Sequence, residues 1–119
     1  MLEYLNYYMQ NKNISITLIV PCYNEVANLQ KGVLDKIGNY VQNDKRFKEV
    51  LVVDDGSTDG SGDIINTYMK LYPKFHLVKN NHQGKAFAII SGIRKAKGEQ
   101  VMFSDIDLAT PIEEADKLI

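Results

Sequence analysis

The chain has 119 residues, 45% apolar and 24% charged, the make-up of one globular domain at most. Its 14 basic and 15 acidic residues are mixed along the chain, for a net charge of −1, so it carries no basic stripe of the kind that marks a nucleic-acid partner. A single cysteine, Cys22, excludes an internal disulfide and fits a reducing, cytoplasmic setting; beside a proline at a strand end it reads as a buried thiol.

Residues 1–13 are Tyr- and Asn-rich and nearly free of basic residues, unlike a signal peptide. Leu2, Leu5 and Met9 recur at helical spacing, so a short N-terminal helical extension is expected there, ahead of a domain spanning 14–119. No apolar run approaches the roughly 18 residues of a membrane span.

From Ile14 onward the chain alternates strand-like and helix-like segments. Ile14 to Val20 is rich in β-branched residues and stops at Pro21, which predicts a first strand. Asn24 or Asn28 is placed to cap a following helix whose apolar stripe is Leu29, Val33, Leu34, Ile37 and Val41. Glu49 to Val53, closed by Asp54-Asp55-Gly56, predicts a strand buried on both faces. Ile64, Ile65, Tyr68, Met69 and Leu71 give the next helix its inner side, and Pro73 ends it.

Phe75 to Val78 reads as a third strand. A helix from about Ala86 to Lys97 follows, with Phe87, Ile90, Ile93 and the stem of Arg94 as its stripe, Ala86 and Ala96 as small packing positions, and Gly98 as its stop. Gln100 to Ser104 is a fourth strand running into Asp105-Ile106-Asp107. Thr110, Pro111 and Glu113 then mark a helix start. This alternation implies an α/β fold with a parallel, doubly wound sheet. In such sheets ligands bind beyond the carboxyl ends of the strands, and the motifs rich in polar residues stand there: Tyr23-Asn24-Glu25, Asp54-Asp55 and Asp105-x-Asp107.

Four motifs in order carry a family resemblance: Ile19-Val20-Pro21-Cys22-Tyr23-Asn24-Glu25, Val52-Val53-Asp54-Asp55-Gly56-Ser57-Thr58-Asp59-Gly60, Asn81 to Lys85, and Phe103-Ser104-Asp105-Ile106-Asp107-Leu108-Ala109-Thr110-Pro111. Together they resemble the inverting family 2 glycosyltransferases of GT-A fold, most closely the dolichyl- and polyprenyl-phosphate glucosyl- and mannosyltransferase branch. Ala86 and Ile106 depart mildly from that pattern, standing where glycine and alanine are usual.

The resemblance implies a truncated GT-A sheet that binds a UDP- or GDP-sugar and ends soon after the Asp-x-Asp motif. It implies Asp107 as direct ligand of a Mg²⁺ or Mn²⁺ ion, with Asp105 orienting the ribose or the metal's waters. Pro21, Tyr23 and Glu25 would cup base and ribose, Asp55 would accept a hydrogen bond from the base, Val53 would offer a backbone contact, and Ile106 would bind the donor. Lys85 would reach the diphosphate from a helix N-terminus. The implied acceptor is a polyprenyl phosphate at the cytoplasmic face of a membrane. Its own oxygen is already a nucleophile, so no protein base is assigned. With the acceptor half missing, the chain is expected to bind donor without transferring sugar, and its cut sheet edge makes self-association plausible.

Other readings fit less well. Asp55, Ser57, Asp59, Gly60 and Asp63 fall at the first, third, fifth, sixth and ninth positions of an EF-hand loop, but Asn66 stands where its bidentate glutamate belongs. Gly84-Lys85 lacks the leading glycine and the Ser/Thr of a P-loop. A nucleotidyltransferase needs a Gly-rich loop after the first strand, and an oxidoreductase Gly-x-Gly-x-x-Gly. A non-catalytic interaction half-domain remains the rival. His76 and His82 lack metal-ligand spacing and read as structural or exposed.

Overall fold

A computed structural model describes residues 14–106 and 112–119. The expected N-terminal helix, Asp107 and the Thr110–Pro111 helix start lie outside the described residues. Four parallel strands, β1 (Ile16–Cys22), β2 (Phe47–Asp54), β3 (Phe75–Lys79) and β4 (Gln100–Phe103), form one sheet in the order β3-β2-β1-β4. Helices α1 (Val26–Gln30), α2 (Val33–Gln42), α3 (Ser61–Leu71) and α4 (Lys85–Lys95) connect the strands, and a 3-10 helix, Ile112–Lys117, follows β4.

The β1 side chains alternate between two cores, as the two-residue period of a strand requires. Ile16, Leu18, Val20 and Cys22 join a large core with Leu29, Leu34, Ile37 and Ile65, while Ile19 joins Leu51, Val53, Val78 and Ala88 in a smaller one. β1 runs through Pro21 instead of stopping before it. The Ile19 carbonyl accepts from Ser104 beyond β4, and the Cys22 carbonyl accepts from Asp55 beyond β2. By that alternation the Pro21 nitrogen points to the β4 side, past the last paired residue, Phe103, where no ladder bond is required.

The first helix is split. Gly32, at φ 80°, separates α1 from α2, although the expected stripe is buried throughout. Neither Asn24 nor Asn28 caps α1: the Val26 amide donates to Asp59 Oδ2 at 3.3 Å, and Asn28 Nδ2 donates to Glu25 Oε2 at 2.7 Å. In α3, Ile65 is buried, but Leu71 is exposed. The residue that covers α2 at that end is Tyr72, which lies against Gly38 and donates to Asp35 at 2.7 Å.

The expected stripe of α4 is reversed. Phe87, Ile90 and Ile93 are exposed, and the helix meets the sheet through Ala88 and Gly92. A methyl group on Gly92 would lie 2.9 Å from the Ile19 side chain, so the helix is too close to the sheet for large residues. Val101 and Phe103 of β4 are exposed as well, Phe103 by 60%, which leaves an apolar flank beside α4.

Gly98 does not end α4, which stops at Lys95. Its role is close approach: a Cβ there would lie 2.6 Å from the Thr17 nitrogen and 2.8 Å from the Ile16 carbonyl carbon. Its amide donates to Thr17 Oγ1 at 2.9 Å, and that hydroxyl donates to the buried Glu49 carboxylate at 2.7 Å. Backbone atoms cannot yield as a flexible side chain can. Gly98→Ala is therefore expected to lower the urea-unfolding free energy by about 1–3 kcal/mol through overpacking.

Candidate functional site

The strand order reverses at β1: the chain passes outward through β2 and β3, then returns to the other side of β1 as β4. The chain leaving β1 returns along the large-core face of the sheet and the chain leaving β3 along the opposite face, which opens a crevice at the strands' carboxyl ends. An open cavity of about 400 Å³ occupies it, lined by Pro21, Cys22, Tyr23, Glu25, Asp55, His82, Gly84, Lys85, Ala88, Asp105 and Ile106.

Two loops are zipped together on one side of the cavity. Asn24, in the left-handed region at φ 51°, donates its amide to Ser57 Oγ and accepts from the Thr58 amide, at 2.9 and 2.8 Å. The Glu25 amide donates to Ser61 Oγ at 2.9 Å. Asp59 accepts from the Ser61 hydroxyl at 2.6 Å, and this bond chiefly holds its carboxyl below the usual carboxylate range. Asp54 accepts from the Ser57 amide at 3.0 Å and shapes the same turn. Asp55 and Asp59 thus serve different loops, unlike the converging ligands of a calcium loop.

Asp55 organises the opposite wall. Its side chain is only 3% exposed. Oδ1 accepts from the Gln83 amide at 3.0 Å, and Oδ2 accepts from the Gly84 amide and His82 Nδ1, both at 2.9 Å. The His82 ring stacks on Tyr23 with centroids 4.0 Å apart and planes 17° apart. Gly84 leads into α4, whose first amides lack intrahelical partners and favour an anion. Lys85, the first residue of that helix, pairs with Asp105 beyond β4, both side chains being more than half exposed. Cys22 is buried, and desolvation, reinforced by Asp54 and Glu25, pushes its thiol up to about 12, which leaves it inert as a nucleophile.

Of the residues singled out from the sequence, Pro21, Tyr23, Glu25, Asp55, Lys85, Asp105 and Ile106 line this one cavity. Val53 does not: its side chain is buried in the smaller core, and its backbone lies in the sheet ladder opposite Pro21 and Val78. Asp107 lies outside the described residues. His82, read from the sequence as structural or exposed, has a 55% exposed side chain and joins the same wall through Asp55 and Tyr23.

The family model described as "Glycosyl transferase family 2" matches residues 17–119. The chain belongs to glycosyl transferase family 2. It is 36% identical over 112 residues to a dolichyl-phosphate beta-glucosyltransferase of Trichomonas vaginalis, an alignment covering 89% of this chain and 34% of that protein. An undecaprenyl-phosphate 4-deoxy-4-formamido-L-arabinose transferase of Aeromonas hydrophila is 32% identical over 114 residues, covering 93% and 35%. Among solved structures, a mannosyltransferase from Pyrobaculum calidifontis in complex with GDP-Man and Mn²⁺ superposes with a TM-score of 0.71 at 29% identity, covering 95% of this chain and 37% of that one. The parallel sheet with flanking helices is thus the GT-A glycosyltransferase fold. This family 2 chain spans about a third of the length of the curated relatives it matches.

Removing the Asp55 carboxylate orphans two backbone amides and the His82 ring. Asp55→Ala should destabilise the chain by about 2–4 kcal/mol. Amide hydrogen exchange should show Gln83 and Gly84 losing protection while the β1–β2 ladder keeps its own.

Proposed function

We propose that this chain supplies the nucleotide-sugar-binding half of a metal-dependent hexosyltransferase that passes sugar from a UDP- or GDP-linked donor to a polyprenyl phosphate. The observation that carries the reading is the switch-point cavity, with an aromatic ring, a buried carboxylate, a lysine-headed helix N-terminus and the first aspartate of Asp105-x-Asp107 around one space. The nucleobase docks at Tyr23 with an N–H directed to Asp55. Glu25, steadied by Asn28, accepts from a ribose hydroxyl. The diphosphate meets Lys85 and the first amides of α4.

The residues fit a divalent cation. Asp105 offers a hard carboxylate oxygen, more than half exposed, and it already has a cation, the Lys85 ammonium, as partner. No group of three His, Cys, Asp or Glu side chains that could hold a metal exists among the described residues. The ion would therefore be held by Asp105 and Asp107 and completed by diphosphate oxygens and water, a habit typical of Mg²⁺. When bound, such an ion offsets the charge on the leaving diphosphate as a Lewis acid.

Support for the acceptor class comes from relatives named as dolichyl- and undecaprenyl-phosphate transferases. A phosphate oxygen attacks without a protein base, and a lipid phosphate places the reaction at a membrane face, in this proposal the cytoplasmic one. Among the described residues no helix is long and apolar enough to cross a membrane. One observation favours a second reading, an interaction half-domain: the exposed apolar flank of Phe87, Ile90, Ile93, Val101 and Phe103.

Thermal unfolding with UDP or GDP, each with and without Mn²⁺, tests the proposal. Ligand at about 100 times Kd should stabilise the fold by about 2.7 kcal/mol, a shift of several degrees. The metal-dependent part of that shift should vanish in Asp107→Ala. Transfer assays on the 119-residue chain alone should show donor binding without turnover. A cooperative melt unmoved by any nucleotide, together with concentration-dependent self-association, would favour the interaction reading instead.

A further inference from the structure

The cavity contains a side chain that already makes the contacts assigned to the nucleobase. The His82 imidazole lies flat on Tyr23 and directs Nδ1 at Asp55 Oδ2. A carboxylate only accepts, so His82 donates from Nδ1. An aromatic ring on Tyr23 with an N–H on Asp55 is also what a uracil or guanine would present through its imino N–H. We infer that His82 is an internal stand-in for the base, holding the base position in the ligand-free chain and swinging out when a nucleotide enters. This rests on the reading of Tyr23 and Asp55 as the base site.

Three observations support displacement of the ring over a fixed role. First, Asp55 is too buried for a base to reach Oδ2 while the imidazole covers it. Second, the other two donors on Asp55 are backbone amides that the loop cannot withdraw singly, so His82 is the only one of the three that a side-chain rotation releases. Third, the His82 side chain is 55% exposed and free to rotate into solvent, while its backbone is packed within 2.8 Å of where a Gly56 Cβ would stand. The ring can leave without moving the loop that positions Lys85.

The consequence is a threshold on affinity and a filter on base type. An entering base must replace both the stack and the N–H. A base with an imino N–H on its pairing edge does so. Adenine and cytosine place a ring-nitrogen acceptor there and meet the carboxylate with a lone pair.

Isothermal titration of the 119-residue chain with UDP, GDP, CDP and ADP in the presence of Mn²⁺ tests this, with His82→Ala alongside and the His82 ring proton resonances followed by NMR. The expected results are that UDP or GDP binds, that CDP and ADP bind less tightly, and that the ring resonances lose the Tyr23 ring-current shift. His82→Ala should bind the preferred nucleotide about tenfold tighter, the equivalent of ~1.4 kcal/mol. Equal or weaker binding by His82→Ala, or a ring that stays on Tyr23 in the saturated wild type, overturns the inference and makes His82 part of the platform. Wild type that binds none of the four nucleotides overturns the base-site reading itself, and the inference with it.

Discussion

A carboxylate buried at the carboxyl end of β2 is the constraint on which the cavity depends. Taking Asp55 out of water carries a large desolvation cost unless its lone pairs are satisfied. Two consecutive backbone amides, from Gln83 and Gly84, and one imidazole meet that demand. Satisfying it draws the loop after β3 across the sheet edge and sets where α4 begins. The position of Lys85, and through it the contact with Asp105 beyond β4, follows from the charge on Asp55. Three strands far apart in sequence thereby contribute to one wall.

The opposite wall uses the same economy with weaker partners. Asn24, Ser57, Asp59 and Ser61 are short polar side chains that accept from backbone amides across two loops, Asn24 from that of Thr58. Such residues favour turns because they offer the backbone an alternative to helix or strand. Here the alternative lies in the neighbouring loop, so the β1 and β2 loops rigidify each other. That is why α1 starts without a capping side chain from its own segment, and why Tyr23 projects from a fixed base.

Much of this was legible in the residue pattern. Strand identity, parallel topology and the gathering of motifs at one edge followed from short apolar runs ending in polar turns. The failures share one cause, which is distance through space. Whether Phe87 or Ala88 faces the sheet depends on how close α4 approaches Ile19, and periodicity carries no information on that. Both faces of α4 are apolar enough to serve, and Gly92 decides between them by admitting contact where a larger residue could not. Leu71 failed for a similar reason, since Tyr72 reaches Gly38 from just beyond the helix. The pairing of His82 with Asp55, 27 positions away, is likewise a contact through space that residue spacing does not report.

The chemistry of the cavity also bears on how it would be filled. Lys85 places a cation on Asp105, and His82 places a ring and an N–H on Tyr23 and Asp55. In the proposed donor complex a divalent ion and a base would take those same positions. On that reading Asp105, Tyr23 and Asp55 each rest against a side chain of the ligand's own chemical kind. The arrangement would lower net affinity, because these incoming groups would replace contacts instead of creating them. It also couples the replacements. A metal ion that released Lys85 from Asp105 would free the ammonium at the N-terminus of α4, the place proposed for the diphosphate, so metal and nucleotide would each favour the other's entry.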